Sequence, residues 1–254
     1  IWCRALGKQL EVVDGKCVRI GGTLQDITRE KELEIQKEIA LKESEFKAKE
    51  LEALLKGAKE VLENDDFENT ARRIFDIARD MTGAVSGYVA LLSDDGEENE
   101  VLFLEAGGMP CDVDPELPMP VRGLRAESYR TGKAVYDNDF MNSEWVKFMP
   151  EGHVEMRNVM FSPLNIEGKT VGIMGLANKD GDFTEDDRKM AEAFGQLAAI
   201  ALKNSWDRGS LSRSEERFEL AMEATKDGLF DWDLQTNEIY LSPGWKRMLG
   251  YEDE

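Results

Sequence analysis

His153 and the three cysteines are the residues whose chemistry could make this chain a catalyst. Cys3, Cys17 and Cys111 have no CxxC spacing, which argues against a zinc site or a disulfide framework and fits a reducing compartment such as the cytoplasm. Cys111 with His153 could form a thiol–imidazole dyad, but no GxSxG, HExxH or GxxxxGK(S/T) motif is present. We therefore expect no enzymatic activity within this segment.

A second group of residues that could have a functional role lies between a predicted strand and a predicted helix. It consists of Asn178, Lys179, Phe183 and Asp187. Lys179 follows the strand, and Asp187 falls in the first turn of the helix, for which Thr184 is the expected N-cap. An ion pair between Lys179 and Asp187 would connect the loop to the helix, with Phe183 filling the space between them. We interpret the group as a structural clasp, and direct contact with a nucleotide is the alternative.

The charge of the chain limits its partners. Asp and Glu total 52 against 32 Lys and Arg, a formal net charge of -20 over 254 residues. Such a field repels nucleic acid and anionic lipid surfaces, so we expect contact with neither. No apolar run approaches the ~20 residues that span a bilayer, and we expect a cytoplasmic location, within a protein whose missing parts could carry a membrane anchor.

The ends of the chain indicate a segment of a longer polypeptide. The first residue is Ile1 instead of Met, and the last residues, GYEDE, read as part of a continuing domain. An output enzyme would then lie outside this segment.

The elements that must position these residues follow from periodicity, caps and turns. Helices before, within and after a set of strands predict an α+β domain of roughly 140 residues. The predicted strands are residues 86–92, 100–104, 134–138, 159–166 and 170–176, and the predicted helices are residues 67–81, 121–131, 142–149 and 184–204.

A long helix is predicted for residues 28–62, which contain no proline and are dense in Glu and Lys. Its apolar residues fit two heptad registers, which a two-chain coiled coil with a register break would explain. A solvated connector helix is the alternative. The first register holds Ile35, Ile39 and Phe46, and the second holds Leu51, Leu54, Ala58 and Val61.

The hairpin and helix between Asn158 and Asn204 resemble the closing part of a GAF domain, the small-molecule sensing fold related to PAS. The clasp residues are similar to an Asn-Lys, Phe, Asp-Glu pattern of cyclic-nucleotide-binding members, with Arg188 in place of the Glu. The resemblance implies an antiparallel sheet with helices on both faces, preceded by a long signalling helix.

Both ends of the chain resemble parts of PAS domains. Residues 15–31 are similar to the last PAS strands with their Asp-Ile-Thr exit, and residues 214–252 are similar to a PAS start, with Trp232 and Trp245 at common aromatic positions. The organisation implied is that of multidomain sensor histidine kinases and diguanylate cyclases. Its parts are a PAS end at 1–28, a signalling helix or coiled coil at 29–62, a GAF domain at 63–205, and a linker helix with a PAS start at 206–254.

The GAF resemblance implies a ligand pocket over the sheet, between segments that contain Cys111 and His153. A cage rich in Met and aromatic residues with one imidazole and one thiol could hold haem, with His153 as axial ligand and Cys111 as thioether attachment or second ligand. The alternative is an ordinary core. The candidate pocket residues are Phe103, Cys111, Tyr129, Phe140, Trp145, Phe148, Met149, His153, Met156 and Phe161.

Three arginines, Arg122, Arg125 and Arg130, lie on the predicted pocket-side helix. We expect them to pair with nearby surface acids, and contact with an anionic ligand is the alternative. The function expected from the whole is a sensory module that binds an unidentified small molecule and relays its state through flanking helices of a homodimer. A haem-based redox or gas sensor and a ligand-free structural spacer are the two alternatives.

Overall fold

The computed structural model describes residues 1–110, 112–114, 117–225 and 228–250. They fall into two units, residues 1–56 and 57–254. In the first unit, β1 (Cys3–Val13) and β2 (Lys16–Asp26) form an antiparallel hairpin. Its turn is Asp14-Gly15, with φ of 49° and 75°, the left-handed conformation that a two-residue hairpin turn requires.

The second unit is built on a five-stranded antiparallel sheet in the order β4-β3-β7-β6-β5. The fold is α+β, and the predicted antiparallel GAF-like sheet is confirmed. The strands are β3 (Ser86–Leu92), β4 (Asn99–Glu105), β5 (Val135–Asp137), β6 (Val159–Ile166) and β7 (Lys169–Ala177).

Three helices, the second, third and fourth of the chain, pack on this sheet, and a small antiparallel hairpin follows it in the chain. None of the described helices combines the length and apolarity needed to cross a membrane. The helices are α1 (Thr28–Glu63), α2 (Phe67–Thr82), α3 (Leu124–Thr131), α4 (Glu185–Thr225) and α5 (Pro243–Met248), and the hairpin strands are β8 (Phe230–Asp233) and β9 (Glu238–Leu241).

Three predicted helices differ from the structure. The helix expected at residues 121–131 begins at Leu124, so Arg122 precedes it. The helix expected to end near residue 204 continues as α4 to Thr225, since no proline interrupts it. The α-helix expected at 142–149 is replaced by two 3₁₀ helices, Phe140–Asn142 and Glu144–Phe148. Ser143 between them is extended, with φ of -81° and ψ of 163°, and therefore breaks any continuous helix.

The face of the sheet that carries α2 and α4 is densely packed. Ser162 Oγ on β6 donates to the Ala191 carbonyl of α4 at 2.9 Å. Gly195 makes this approach possible, because a Cβ there would lie 2.6 Å from the Pro163 carbonyl oxygen. The absence of one side chain thus sets the distance between helix and sheet.

The last turns of α1 lie against other helices of the second unit. A Cβ at Gly57 would lie 2.9 Å from Leu197 Cδ1 of α4, and Glu60 accepts from Arg73 of α2 at 3.1 Å. Val61 is buried. The end of the second heptad register, at Val61, therefore packs inside the domain and is not free to pair with a second chain.

Candidate functional site

A partly enclosed cavity of about 90 Å³ lies between the sheet, α3 and the segment around His153. Strands β3, β6 and β7 form its floor, the end of β4 forms one wall, and apolar atoms dominate its surface. Its lining includes Tyr88, Leu104, Met119, Arg125, His153, Val154, Met156, Val159, Phe161 and Gly175.

Strand register brings the floor residues to one face. Tyr88 on β3 pairs with Leu104 on β4 and with Gly175 on β7, and directly opposite residues share a face. A Cβ at Gly175 would lie 2.6 Å from Tyr88 Cε1. Glycine at this position therefore leaves room for the Tyr88 ring.

Helix α3 is fixed against β4 by a buried polar contact. Tyr129 Oη donates to Asn99 Oδ1 at 2.7 Å, and Asn99 Nδ2 donates to the Met119 carbonyl at 2.9 Å. These bonds satisfy Asn99, which is buried. They also set the position of Arg125, which lies one helical turn before Tyr129.

Two polar atoms at the cavity have no hydrogen-bond partner among the described residues. They are Tyr88 Oη and Arg125 Nη1, and both are buried. Burial raises the pKa of the Tyr88 hydroxyl, and the neighbouring Arg125 charge opposes that rise only in part. Burial, together with the nearby Tyr88, also raises the pKa of Tyr129. The site thus holds neutral phenols beside a guanidinium.

The residues predicted for the pocket divide into three groups. His153, Met156 and Phe161 line the cavity. Four more do not line the cavity but belong to, or pack against, the apolar cluster that contains Phe161. They are Tyr129, Phe140, Trp145 and Met149.

Phe103, Phe148 and Cys111 form the third group. Phe103 lies on the α2 face, where its ring meets Phe75 edge-on at 5.5 Å, because strand alternation gives the cavity face to Leu104. Phe148 lies under the exposed Arg122 guanidinium, 5.9 Å from it. Cys111 lies outside the described residues.

The described geometry does not fit haem. The cavity of about 90 Å³ is well below the ~300–1,000 Å³ of pockets for drug-sized ligands. A wider opening of about 600 Å³ adjoins it at His153 and Val154, but it is open to solvent and lined partly by Glu155, Arg157 and Asn178.

His153 lies where the cavity meets this opening. Its Nδ1 contacts the Val154 carbonyl at 2.8 Å, which orients the ring. Within the described ranges no carboxylate pairs with the imidazole, and no group of three or more His, Cys, Asp or Glu is arranged to hold a metal ion.

The clasp residues come together at the start of α4. Lys179 Nζ lies 2.5 Å from Asp187 Oδ2, with both side chains largely buried. The same oxygen accepts from Thr184 N and Oγ1 at 2.7 and 2.8 Å, so it also closes the helix cap. Phe183 is 2% exposed, and the lysine lies over its ring at 5.8 Å.

Two asparagines that sequence reasoning missed complete the clasp. Asn158 Oδ1 accepts from Lys179 N at 2.9 Å, and its Nδ2 donates to the Gly181 carbonyl at 2.7 Å. Asn138 exchanges two bonds with the Phe183 backbone at 2.8 and 3.0 Å. Asn178 has a positive φ of 58°, which asparagine tolerates better than most residues.

The three arginines have different surroundings. Arg130 pairs with Glu127 at 2.5 Å and is exposed, as expected. Arg125 instead lines the cavity, 6.0 Å above the Phe161 ring. The surface pairing expected for Arg125 is therefore wrong. Tyr88 was not among the predicted pocket residues, and it lies 37 positions before Arg125 in the sequence. The alternation of side chains along β3 was the one sequence signal that could have placed Tyr88 on the cavity face.

This fold is an α+β domain with a small cavity between an antiparallel sheet and a covering helix. The GAF domain family model matches residues 64–203, more than half of the chain. The chain belongs to the GAF domain family.

Solved GAF-fold structures resemble this chain. One is the GAF domain of a phosphoenolpyruvate-protein phosphotransferase from Coxiella burnetii, with a TM-score of 0.55 and 14% identity over 64% of this chain and 98% of that chain. Another is the free methionine-R-sulfoxide reductase from Neisseria meningitidis, in complex with its substrate, with a TM-score of 0.53 and 15% identity over 63% of this chain and 91% of that chain. Both establish the fold.

A curated relative matches a shorter stretch. Hybrid signal transduction histidine kinase A from Dictyostelium discoideum is 41% identical over 44 residues, which is 17% of this chain and 2% of that protein. The match thus spans a very small part of the relative's length. GAF domains of this kind are typical of sensory signal-transduction proteins.

Proposed function

We propose that this chain is the sensory part of a signalling protein, in which the cavity binds a small molecule and catalyses no reaction. The observation that carries the proposal is the cavity itself, which combines apolar walls with the few polar groups that orient a ligand. His153 has no described acid partner that would make it a catalytic base. The kinase relative adds support for a signalling context.

The route from cavity to output is proposed to run through α1 and α4. The end of α1 contacts α4 at Gly57, and α4 begins at the clasp and continues for 41 residues. An ion pair joins Asp65, between α1 and α2, to Arg208 of α4. A ligand that favours one cavity shape would bias the position of these helices.

Pairing with a second copy is proposed for the same helices. Exposed apolar side chains recur along both helices. Burying them against a second copy would be favourable, whereas a helix that stays solvated gains nothing from them. The acidic surfaces of two copies would repel, so the dimer depends on these side chains. They include Ile35, Ile39, Phe46, Leu211 and Phe218.

The two terminal hairpins are proposed to be parts of neighbouring PAS domains. The β1–β2 hairpin leads directly into α1, and the β8–β9 hairpin follows α4. This arrangement supports a chain of sensor modules joined by helices, in a cytoplasmic part of the protein.

A thermal-shift screen of the 254-residue chain against a metabolite library tests ligand binding. We expect a stabilising hit that is lost in Val154→Trp, which fills space at the cavity, and kept in Val101→Trp, a control on the exposed side of β4. A hit unaffected by Val154→Trp, or no hit at all, would contradict binding in this cavity.

Haem addition tests the alternative cofactor. Because the cavity is too small, we expect no saturable Soret band in the absorption spectrum. A one-to-one band that disappears in His153→Ala would instead establish a haem sensor.

Light scattering tests the dimer. We expect a dimer mass for the chain, and a monomer for the double variant Leu211→Glu with Phe218→Glu. Leu234→Glu, at an exposed position between β8 and β9, is the matched control and should leave the mass unchanged. A monomeric parent chain would overturn the dimer.

A further inference from the structure

The cavity contains a positive charge without a counter-charge. Arg125 is half-buried and forms no ion pair with any described residue, its Nη1 is buried without a hydrogen-bond partner, and the Tyr88 hydroxyl lies close enough to interact with its charge. A guanidinium is always charged, and proteins almost always pair such groups when they are buried. Because no described residue supplies a counter-charge, a ligand is a candidate for the missing partner.

The acidic residue at the cavity does not supply that partner. Glu105 is among the lining residues, but its carboxylate lies 4.0 Å from Arg72 on the α2 side and accepts from Gly107 N at 3.1 Å. Strand alternation explains this, since Leu104 and not Glu105 shares a face with Tyr88. Glu105 therefore forms no ion pair with Arg125.

A second donor lies beside the guanidinium. Tyr88 Oη is buried and lies within reach of the Arg125 guanidinium, but it forms no hydrogen bond of ordinary geometry with Arg125 or with any other described residue. As a neutral phenol it can donate to an anion. One N–H and one O–H at the same cavity suit the two oxygens of a carboxylate.

The remaining walls and the volume restrict the ligand further. Leu104, Met156, Val159 and Phe161 present apolar surface, which suits a hydrocarbon chain and gives no further donors to a phosphate. The volume of about 90 Å³ is well below the ~300–1,000 Å³ of pockets for drug-sized ligands. The space therefore fits a short acid.

We propose that the cavity binds a small monocarboxylate with a short apolar chain, whose oxygens are held by Arg125 and Tyr88. This inference rests on the proposed sensory function and names its ligand class. Binding would supply the counter-charge that the unliganded domain lacks, so the ligand is expected to stabilise the domain as it binds.

Methyl resonances of Met119 and Met156, which both line the cavity, report binding directly. The 254-residue chain with labelled methionine methyls would be titrated with sodium butyrate and, separately, with its neutral isostere butyramide. We expect saturable shifts with butyrate, with a Kd in about the millimolar range for so small a ligand. Butyramide should bind at least about tenfold more weakly, because it lacks the charge-assisted bond.

Variants assign the donors. Arg125→Gln should weaken butyrate binding at least about tenfold, and Tyr88→Phe, a milder change, about two- to tenfold. Arg130→Gln changes an exposed arginine of the same helix that is paired with Glu127 and should have no effect. If Arg125→Gln does not fold, the loss of butyrate affinity in Tyr88→Phe remains as the test.

The outcomes separate this inference from the proposed function. Equal binding of butyrate and butyramide, unaffected by Arg125→Gln, would overturn the carboxylate class and leave a ligand-binding cavity in place. Absence of any shift with butyrate would also overturn the carboxylate class, while the metabolite screen decides the sensory function independently.

Discussion

Tyr129 on α3 and Asn99 at the start of β4 are joined by a hydrogen bond of 2.7 Å from the phenol to the amide oxygen. Asn99 is buried and gives its amide N–H to the Met119 carbonyl at 2.9 Å. The pair links the helix that carries Arg125 to the sheet that carries Tyr88. The cavity therefore depends on a contact between residues that do not line it.

Tyr129→Phe tests this contact. Removal of the hydroxyl leaves the Asn99 oxygen buried without its donor, which should lower the free energy of unfolding by about 1–3 kcal/mol. Urea unfolding followed by circular dichroism measures the change. Tyr240→Phe, at an exposed position on β9, is the control and should change stability by less than about 0.5 kcal/mol. Equal effects of the two changes would contradict the structural role of the pair.

Arg125→Met should stabilise the unliganded chain. The change removes a half-buried charge whose Nη1 has no described partner and replaces it with an apolar side chain of similar length, so an increase of up to about 1 kcal/mol in the free energy of unfolding is expected. The melting temperature without added ligand is the measurement. Arg130→Met, at an exposed and paired position, should have little effect. A clear loss of stability in Arg125→Met would mean that the arginine serves the fold and not a ligand.

The clasp predicts an asymmetry between its two charges. Asp187→Ala removes the ion pair and the cap bonds from Thr184, for an expected loss of about 2–4 kcal/mol in the free energy of unfolding. Lys179→Met leaves the cap bonds in place and should cost about 1–2 kcal/mol. Denaturant unfolding compares the two, with Asp186→Ala as control, since Asp186 is exposed and pairs loosely with Lys189 at 3.5 Å. Similar losses for Asp187→Ala and Asp186→Ala would contradict the clasp.

The clasp and the sheet were accessible from the sequence because their signals are local. Lys179 and Asp187 are eight residues apart, and a strand end and a helix cap fix both positions. Helix α2 ends at Gly83 in the left-handed conformation, with φ of 74°, as the position of that glycine predicted. The Glu167-Gly168 turn likewise identified the hairpin of β6 and β7.

The cavity was less accessible because it depends on relations between distant segments. Arg125 looked like its neighbours Arg122 and Arg130, and only the placement of α3 over β3 distinguishes it. Phe103 was assigned to the pocket for its type, whereas a bulge near Val89 and Ala90 helps to decide which β4 residues face α2. No sequence pattern identified Asn138 and Asn158, because an amide side chain can both donate to and accept from the backbone of almost any loop.

Alkaline pH should report on Tyr88. Burial raises the pKa of its hydroxyl above that of an unfolded tyrosine, so the stability associated with the neutral phenol is present below about pH 10 and is lost as pH rises toward the folded pKa. Stability measured between pH 9 and 12 should therefore fall more steeply in the parent chain than in Tyr88→Phe. Tyr240→Phe should follow the parent chain. Identical curves for the parent and Tyr88→Phe would contradict a buried, neutral hydroxyl.

Two glycines in α4 should respond in opposite directions to the same change. A Cβ at Gly195 would lie 2.6 Å from the Pro163 carbonyl oxygen and 2.9 Å from Ser162 Oγ, whereas a Cβ at Gly209 meets nothing within 4 Å. Gly195→Ala should therefore destabilise the domain by about 1–3 kcal/mol through overpacking. Gly209→Ala should stabilise it by about 0.5–1 kcal/mol, because alanine is the better helix former. Chemical unfolding of both variants separates helix propensity, which they share, from contact with the sheet, which only Gly195 makes. A gain of stability in both would mean that α4 does not approach β6 as closely as these distances require.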